Sequence, residues 1–228
     1  MDLNIKKVAI IDDDDMEIEI AKMYLAELDL EPVILEGPFD SVDILANLIK
    51  ETADAALCDH RLITNAYANF SGASLVAKLY ELKIPAVLIT QFYDMDTDSS
   101  IRQWREFIPV LLSRDEASSE KYFESFLACY NELEKRRPPS RQYRRAILKI
   151  VGLSGSGNDT VVDAIIPGWN MKHAVRFPIS LISKELVPFL KVDQRFLAKM
   201  NIGTTNPDEL FFSDFEKAPE PEDTDGFA

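Results

Sequence analysis

The stretch "KKVAIIDDDD", residues 6–15, runs a strand-length apolar segment straight into Asp12, Asp13, Asp14 and Asp15. Carboxylates this close repel one another, at roughly 4 kcal/mol per close pair in a partly buried setting. The run is therefore either a solvated loop that also starts a helix, or a place where something positive belongs. Just downstream, Ile18, Ala21, Tyr24, Leu25 and Leu28 recur at steps of three and four. That spacing predicts a helix capped by Asp14 or Asp15. An apolar strand without polar alternation, followed by an amphipathic helix, reads as a βα unit whose strand is buried on both faces.

The same grammar repeats along the first part of the chain. Further strands are expected at 32–35, 55–58, 85–90 and 108–112. Helices are expected from Ser41 onward, over 73–82, near 99–107 and over about 116–133. Five βα units with apolar strands predict an α/β fold, a five-stranded doubly wound parallel sheet of flavodoxin-like order 2-1-3-4-5, over residues 1–134. Next comes "KRRPPSRQYRR", residues 135–145, where Pro138 and Pro139 forbid helix continuation. It reads as a basic, semi-rigid, solvated linker.

Beyond it the pattern changes to a smaller mainly-β domain over 146–217, barrel-like, with strands at 146–153, 160–166, 174–182, 195–202 and 210–215. The segment "GSGND", 155–159, joins the first two as a hairpin loop, and a short helical piece is expected near 183–190. Residues 218–228 are acidic, contain proline and carry few apolar side chains, so they are expected to be disordered.

Composition limits the function. With 46% hydrophobic and 28% charged residues among 228, the chain can bury a sizeable core. A net charge of −14 argues against general affinity for nucleic acid or anionic membranes. No apolar stretch approaches bilayer-spanning length, and no opening segment has signal-peptide order. Cys58 and Cys129 lie far apart in apolar runs and read as buried free thiols of a reducing compartment. The expected location is the cytoplasm. With only His60 and His173 and no CxxC spacing, zinc is not expected. "GLSGSGND", 152–159, lacks the Lys-Ser/Thr ending of a phosphate loop and precedes a strand, so it reads as a turn.

In a sheet of this order, ligands bind beyond the carboxyl ends of the strands, at the switch point between the first and third. Asp12 and Asp13 follow the first strand and Asp59 the third, so three carboxylates from distant positions converge. Hard oxygen ligands of this kind suit Mg²⁺. The fourth strand ends in Thr90, a hydroxyl, and the fifth in Ser113 and Arg114, a fixed positive charge.

An ordered set of acid pair, lone Asp, Thr and cation resembles the receiver domain of response regulators. "VAIIDDD" is similar to its acid-pair strand, "AALCDHRL" to its phosphoacceptor strand and "PAVLIT" to its hydroxyl strand, over about residues 5–134. The resemblance implies that Asp59 accepts a phosphoryl group from a histidine kinase or phosphotransfer protein, with Thr90 and Arg114 assisting. It also implies that Mg²⁺ is held by Asp13 directly, Asp12 through water, Asp59, and the backbone carbonyl of Arg61. Three features depart from the family pattern. Arg114 stands where the family carries lysine, Gln91 follows Thr90 where it prefers a small residue, and the loop 63–72 is long.

Within that chemistry the alternative is a phosphate sink for a kinase; outside it, a pseudo-receiver scaffold. The β domain is expected to bind a protein or to dimerise. Phe177, Phe189, Phe196, Phe211 and Phe212 could stack bases, but few basic residues surround them, so nucleic acid is not an expected partner. A homodimer is compatible with the sequence, and neither a membrane nor a separate catalytic domain is expected.

Overall fold

The structure is a computed structural model and describes residues 4–63 and 66–219. The chain divides between Pro138 and Pro139 into two compact units. The part of the acidic tail from 220 to 228 lies outside the described residues.

In the first unit, β1 (Lys7–Ile11), β2 (Glu31–Ile34), β3 (Ala55–Asp59), β4 (Ala86–Thr90) and β5 (Val110–Ser113) form one parallel sheet in the order β2-β1-β3-β4-β5. The flavodoxin-like fold expected from the sequence is the one observed. Side chains alternate across each strand, so each face gets half of them. Ala9, Ile11, Ala56, Cys58 and Leu88 pack with Leu45 and Ile49 of α2 (Val42–Thr52) and with Leu75 and Leu79 of α3 (Gly72–Glu81). Val8, Ile10, Leu57, Val87 and Ile89 pack with Leu25 of α1 (Asp15–Ala26) and with Tyr122 and Phe126 of α5 (Ser119–Glu134). Strands walled by helices on both sides have no solvent face, which is why they read as unbroken apolar runs.

One element differs from expectation. Instead of a helix near 99–107, the chain makes a four-residue α4 (Tyr93–Asp96), then a π turn (Thr97–Ile101), then a 3-10 turn (Arg102–Phe107). The reason is that its polar side chains are committed elsewhere. Asp96, Arg102 and Arg105 are buried, and Thr97 bonds back to the Tyr93 carbonyl at 2.6 Å. Such bonds compete with a regular helix.

The second unit holds one antiparallel sheet, in the order β10-β9-β6-β7-β8. Its strands are β6 (Arg144–Ser154), β7 (Val161–Ile166), β8 (Asn170–Pro178), β9 (Arg195–Met200) and β10 (Phe212–Lys217). Among the described residues the edge strands β8 and β10 do not pair. They meet through side chains, with the Phe177 and Phe212 rings 4.8 Å apart, so the sheet curls without closing its hydrogen bonds. The helical piece expected at 183–190 shrinks to a single 3-10 turn, Val187–Phe189. Phe177, Phe196, Phe211 and Phe212 are buried in this core, which removes them as a base-stacking surface; Phe189 is exposed. Trp169 packs against the same core and donates from Nε1 to the Thr204 carbonyl at 2.6 Å.

The basic stretch is not simply solvated. Arg137 pairs with Glu106 at 3.0 Å in the first unit, and Arg141 is buried beside the Phe211 ring in the second. The second unit also buries Asn201, which donates to the Ser140 and Glu209 carbonyls and accepts from the Phe211 amide at 2.8 Å. Asn201→Ala would leave these backbone groups unpaired, and is expected to cost about 2 kcal/mol. A two-wavelength thermal melt checks this; a change under half that size would mean water replaces the amide.

Candidate functional site

Strand register builds the site. Ile11 pairs with Cys58, so the next residues, Asp12 and Asp59, emerge side by side at the end of the sheet. Asp59 pairs with Ile89, which brings Thr90 beyond it, and Thr90 pairs with Ser113, which precedes Arg114. Each functional side chain is therefore the last or next residue of a buried strand. They line a cleft of about 270 Å³ that also includes Asp13, Glu17 and Phe92.

The four aspartates of the opening run divide the work. Asp14 caps α1, accepting from the Met16 amide at 2.8 Å, and Asp15 sits exposed in the first turn at the positive end of the helix. Asp13 is half-exposed at the cleft, and Asp12 is buried. Sequence alone did not separate these roles; the turn after β1 does.

The positive partner of the buried acids is Arg114. Both of its terminal nitrogens lie 3.0 Å from Asp12 Oδ2, and Nη2 also donates to Asp59 Oδ1. Nη1 lies 3.0 Å from Glu17 Oε2. The other oxygens are taken too: Asp12 Oδ1 accepts from the Asp14 amide at 3.0 Å, and Asp59 Oδ2 from the Arg61 amide at 2.6 Å. Burial pushes the Asp12 carboxyl up to about 6, against the pull of Arg114. Burial likewise raises Asp59, with Arg114 and the Arg61 amide opposing it. Burial also works against the Arg114 charge, but Asp12 and Asp59 outweigh it and hold the guanidinium above its ordinary value.

The Mg²⁺ ligand set expected from the sequence was Asp12, Asp13, Asp59 and the Arg61 carbonyl. Among the described residues no group of three or more acids, histidines or cysteines is arranged to hold a metal ion. The oxygen chemistry suits Mg²⁺, but this arrangement does not fit it, because Arg114 reaches from β5 across β4 to both buried carboxylates. Arg61 enters through its amide and guanidinium.

Thr90 is fully buried and its hydroxyl donates to Asp96 Oδ2 at 2.7 Å. Arg61 forks onto the same carboxylate, Nη2 to Oδ1 at 2.8 Å and Nε to Oδ2 at 3.2 Å, and lies 3.9 Å over the Phe92 ring. The sequence reading missed Asp96 and Glu17. Both lie in acidic helical stretches, where periodicity does not tell which carboxylate turns inward. His60 is buried, which lowers its basicity, and its Nε2 meets Ser100 Oγ at 2.7 Å. In the loop 63–72, whose residues 64 and 65 lie outside the described residues, Tyr67 donates to the Leu35 carbonyl.

No family model matches the chain, and no curated protein matches it. Among solved structures it is similar to a response regulator receiver domain protein from Clostridium thermocellum, at 15% identity and TM-score 0.43, over 56% of this chain and 95% of that one. It is also similar to the signal receiver domain of a modulated diguanylate cyclase from Desulfovibrio desulfuricans, at 16% identity and TM-score 0.46, over 57% and 98%. A CheY-like receiver domain protein from Methanospirillum hungatei aligns at 19% identity and TM-score 0.43, over 58% and 98%. The structural neighbours are consistently receiver domains. No helix of the described residues is long and apolar enough to cross a membrane.

Proposed function

We propose that the first unit is a phosphoacceptor module that takes a phosphoryl group on Asp59 from a histidine kinase or phosphotransfer protein. The observation that carries this reading is the Asp59 carboxylate, at the end of the central strand β3 and held at the cleft by Arg114. An Asp59 oxygen would attack phosphorus in line, forming the P–O bond as the P–N bond to the donor histidine breaks and its electron pair returns to the imidazole. Arg114 already stands beside Asp59, so it would balance charge that appears there without reorganising. Mg²⁺ would enter only in competition with Arg114 for Asp12 and Asp59.

In this reading residues 1–134 are the receiver-like domain and 135–145 its connection. Residues 146–217 are a non-DNA-binding domain for protein interaction or self-association, and 218–228 are a tail. Incubation with a small acyl-phosphate donor, followed by intact mass, is expected to give one phosphoryl adduct that Asp59→Asn abolishes. An adduct that survives the substitution would move the acceptor elsewhere.

A second reading, a pseudo-receiver scaffold, draws on one specific observation: every oxygen of Asp12 and Asp59 accepts a hydrogen bond, and the Thr90 hydroxyl is spent on Asp96. No adduct from either a small donor or a cognate kinase would favour it.

A further inference from the structure

Both residues that follow Asp59 reach into the irregular segment 92–107. His60 meets Ser100, and Arg61 forks onto Asp96. The end of β4 makes a third tie to the same segment, from Thr90 to Asp96. Asp96 is the centre of the arrangement, a carboxylate only 5% exposed that receives both the hydroxyl and the guanidinium.

The segment needs these ties. Its backbone passes from a four-residue α-helix through a π turn to a 3-10 turn, none of which is stable as an isolated helix. Segments held by few regular hydrogen bonds open at low free energy.

We propose that Asp96 is the positioning residue of a latch. It holds residues 92–107 against the site while Asp59 is unmodified, and it loses its donors when Asp59 carries a phosphoryl group. The proposal rests on the phosphoacceptor reading for its trigger, but not for the latch itself. The reasoning is one of exclusive donors. A threonine hydroxyl has one proton, so Thr90 donates either to Asp96 or to a phosphoryl oxygen, never to both. The incoming group brings about −1.5 to −2 charges and three strong acceptors, and it sits beside the residue pair that supplies Arg61. The latch and the phosphoryl group thus compete for the same hydroxyl and the same guanidinium. Release would uncover the segment that bears the exposed side chains of Phe92 and Met95.

Hydrogen–deuterium exchange on the full chain tests this, with Asp96→Ala and the milder Asp96→Asn, which keeps an acceptor for Thr90 but removes the charge facing Arg61. Amides of 92–107 are expected to exchange about tenfold faster in Asp96→Ala, with Asp96→Asn between it and the wild type. Amides of β1 and β3 should be unchanged. With a small acyl-phosphate donor, the wild type should gain the same fast exchange as its adduct forms. Asp96→Ala should form adduct several-fold faster and show no further change in exchange. Equal exchange in variant and wild type, or acceleration spread evenly over the whole parallel-sheet unit, overturns the latch. So does a wild-type adduct that leaves 92–107 unchanged. If neither protein takes a phosphoryl group, the phosphoacceptor reading fails, and the comparison of unmodified proteins still decides the latch.

Discussion

Gly72→Ala is expected to destabilise the parallel-sheet unit by about 3 kcal/mol, near the top of the usual range for overpacking, and to lower its melting temperature by roughly 10 °C. A Cβ at Gly72 would lie 1.8 Å from the Asp59 carbonyl oxygen and 2.8 Å from its carbon. Those atoms are backbone, at the end of a fully buried strand, so no side chain can swing aside. The Gly72 amide also donates to the His60 carbonyl at 3.0 Å, which ties the start of α3 to the chain just past Asp59. Relief of the clash must therefore displace either α3 or the Asp59 loop. The substitution should blunt phosphoryl uptake as well as stability. Calorimetry with an adduct assay checks both, and an unchanged melt would mean that α3 does not approach β3 as described.

Arg114→Ala is expected to cost about 3–5 kcal/mol in mildly alkaline buffer, because it leaves Asp12, Asp59 and Glu17 facing one another without their common partner. The loss depends on pH with a definite sign. Asp12 already has a folded-state pKa of about 6, above the ordinary carboxylate value, so the folded protein holds that proton more tightly than the unfolded chain. Its contribution is present at low pH and lost as pH rises from about 4 through 6. Without Arg114 the raised carboxyls rise further, and the decline should start from the same low-pH plateau and extend to higher pH. Variant and wild type should therefore converge near pH ~4, where the acids are protonated in both. Millimolar Mg²⁺ should restore several degrees to the variant by binding the carboxylates that the guanidinium gave up, and fewer to the wild type. Asp13→Asn in the variant background should weaken that response, whereas Asp15→Asn should not. A loss that stays constant from acid to alkaline pH would mean that packing of the Arg114 stem, and not its charge, supports the site.

Periodicity by itself determined the parallel-sheet unit. Strands without polar alternation separated by three-four-spaced helices admit one architecture, and its order brings the residues after the first, third, fourth and fifth strands to one edge. Asp12, Asp59, Thr90 and Arg114 were legible for that reason: each is the first polar or charged residue where a buried run ends. The same logic found five strands in the second unit, because alternation marks a sheet with one covered face. What periodicity does not carry is the pairing of side chains across elements. Arg114 contacts an aspartate 102 positions away, and Asp96 takes a hydroxyl six positions back and a guanidinium 35 positions back. Nothing local to Asp96 separates it from the other acids of its stretch. Its burial follows from the approach of β4 and the Asp59 loop, which only the folded chain brings within reach. The irregular winding of 93–107 has the same origin, since tertiary hydrogen bonds there outcompete the helix that the sequence pattern favours.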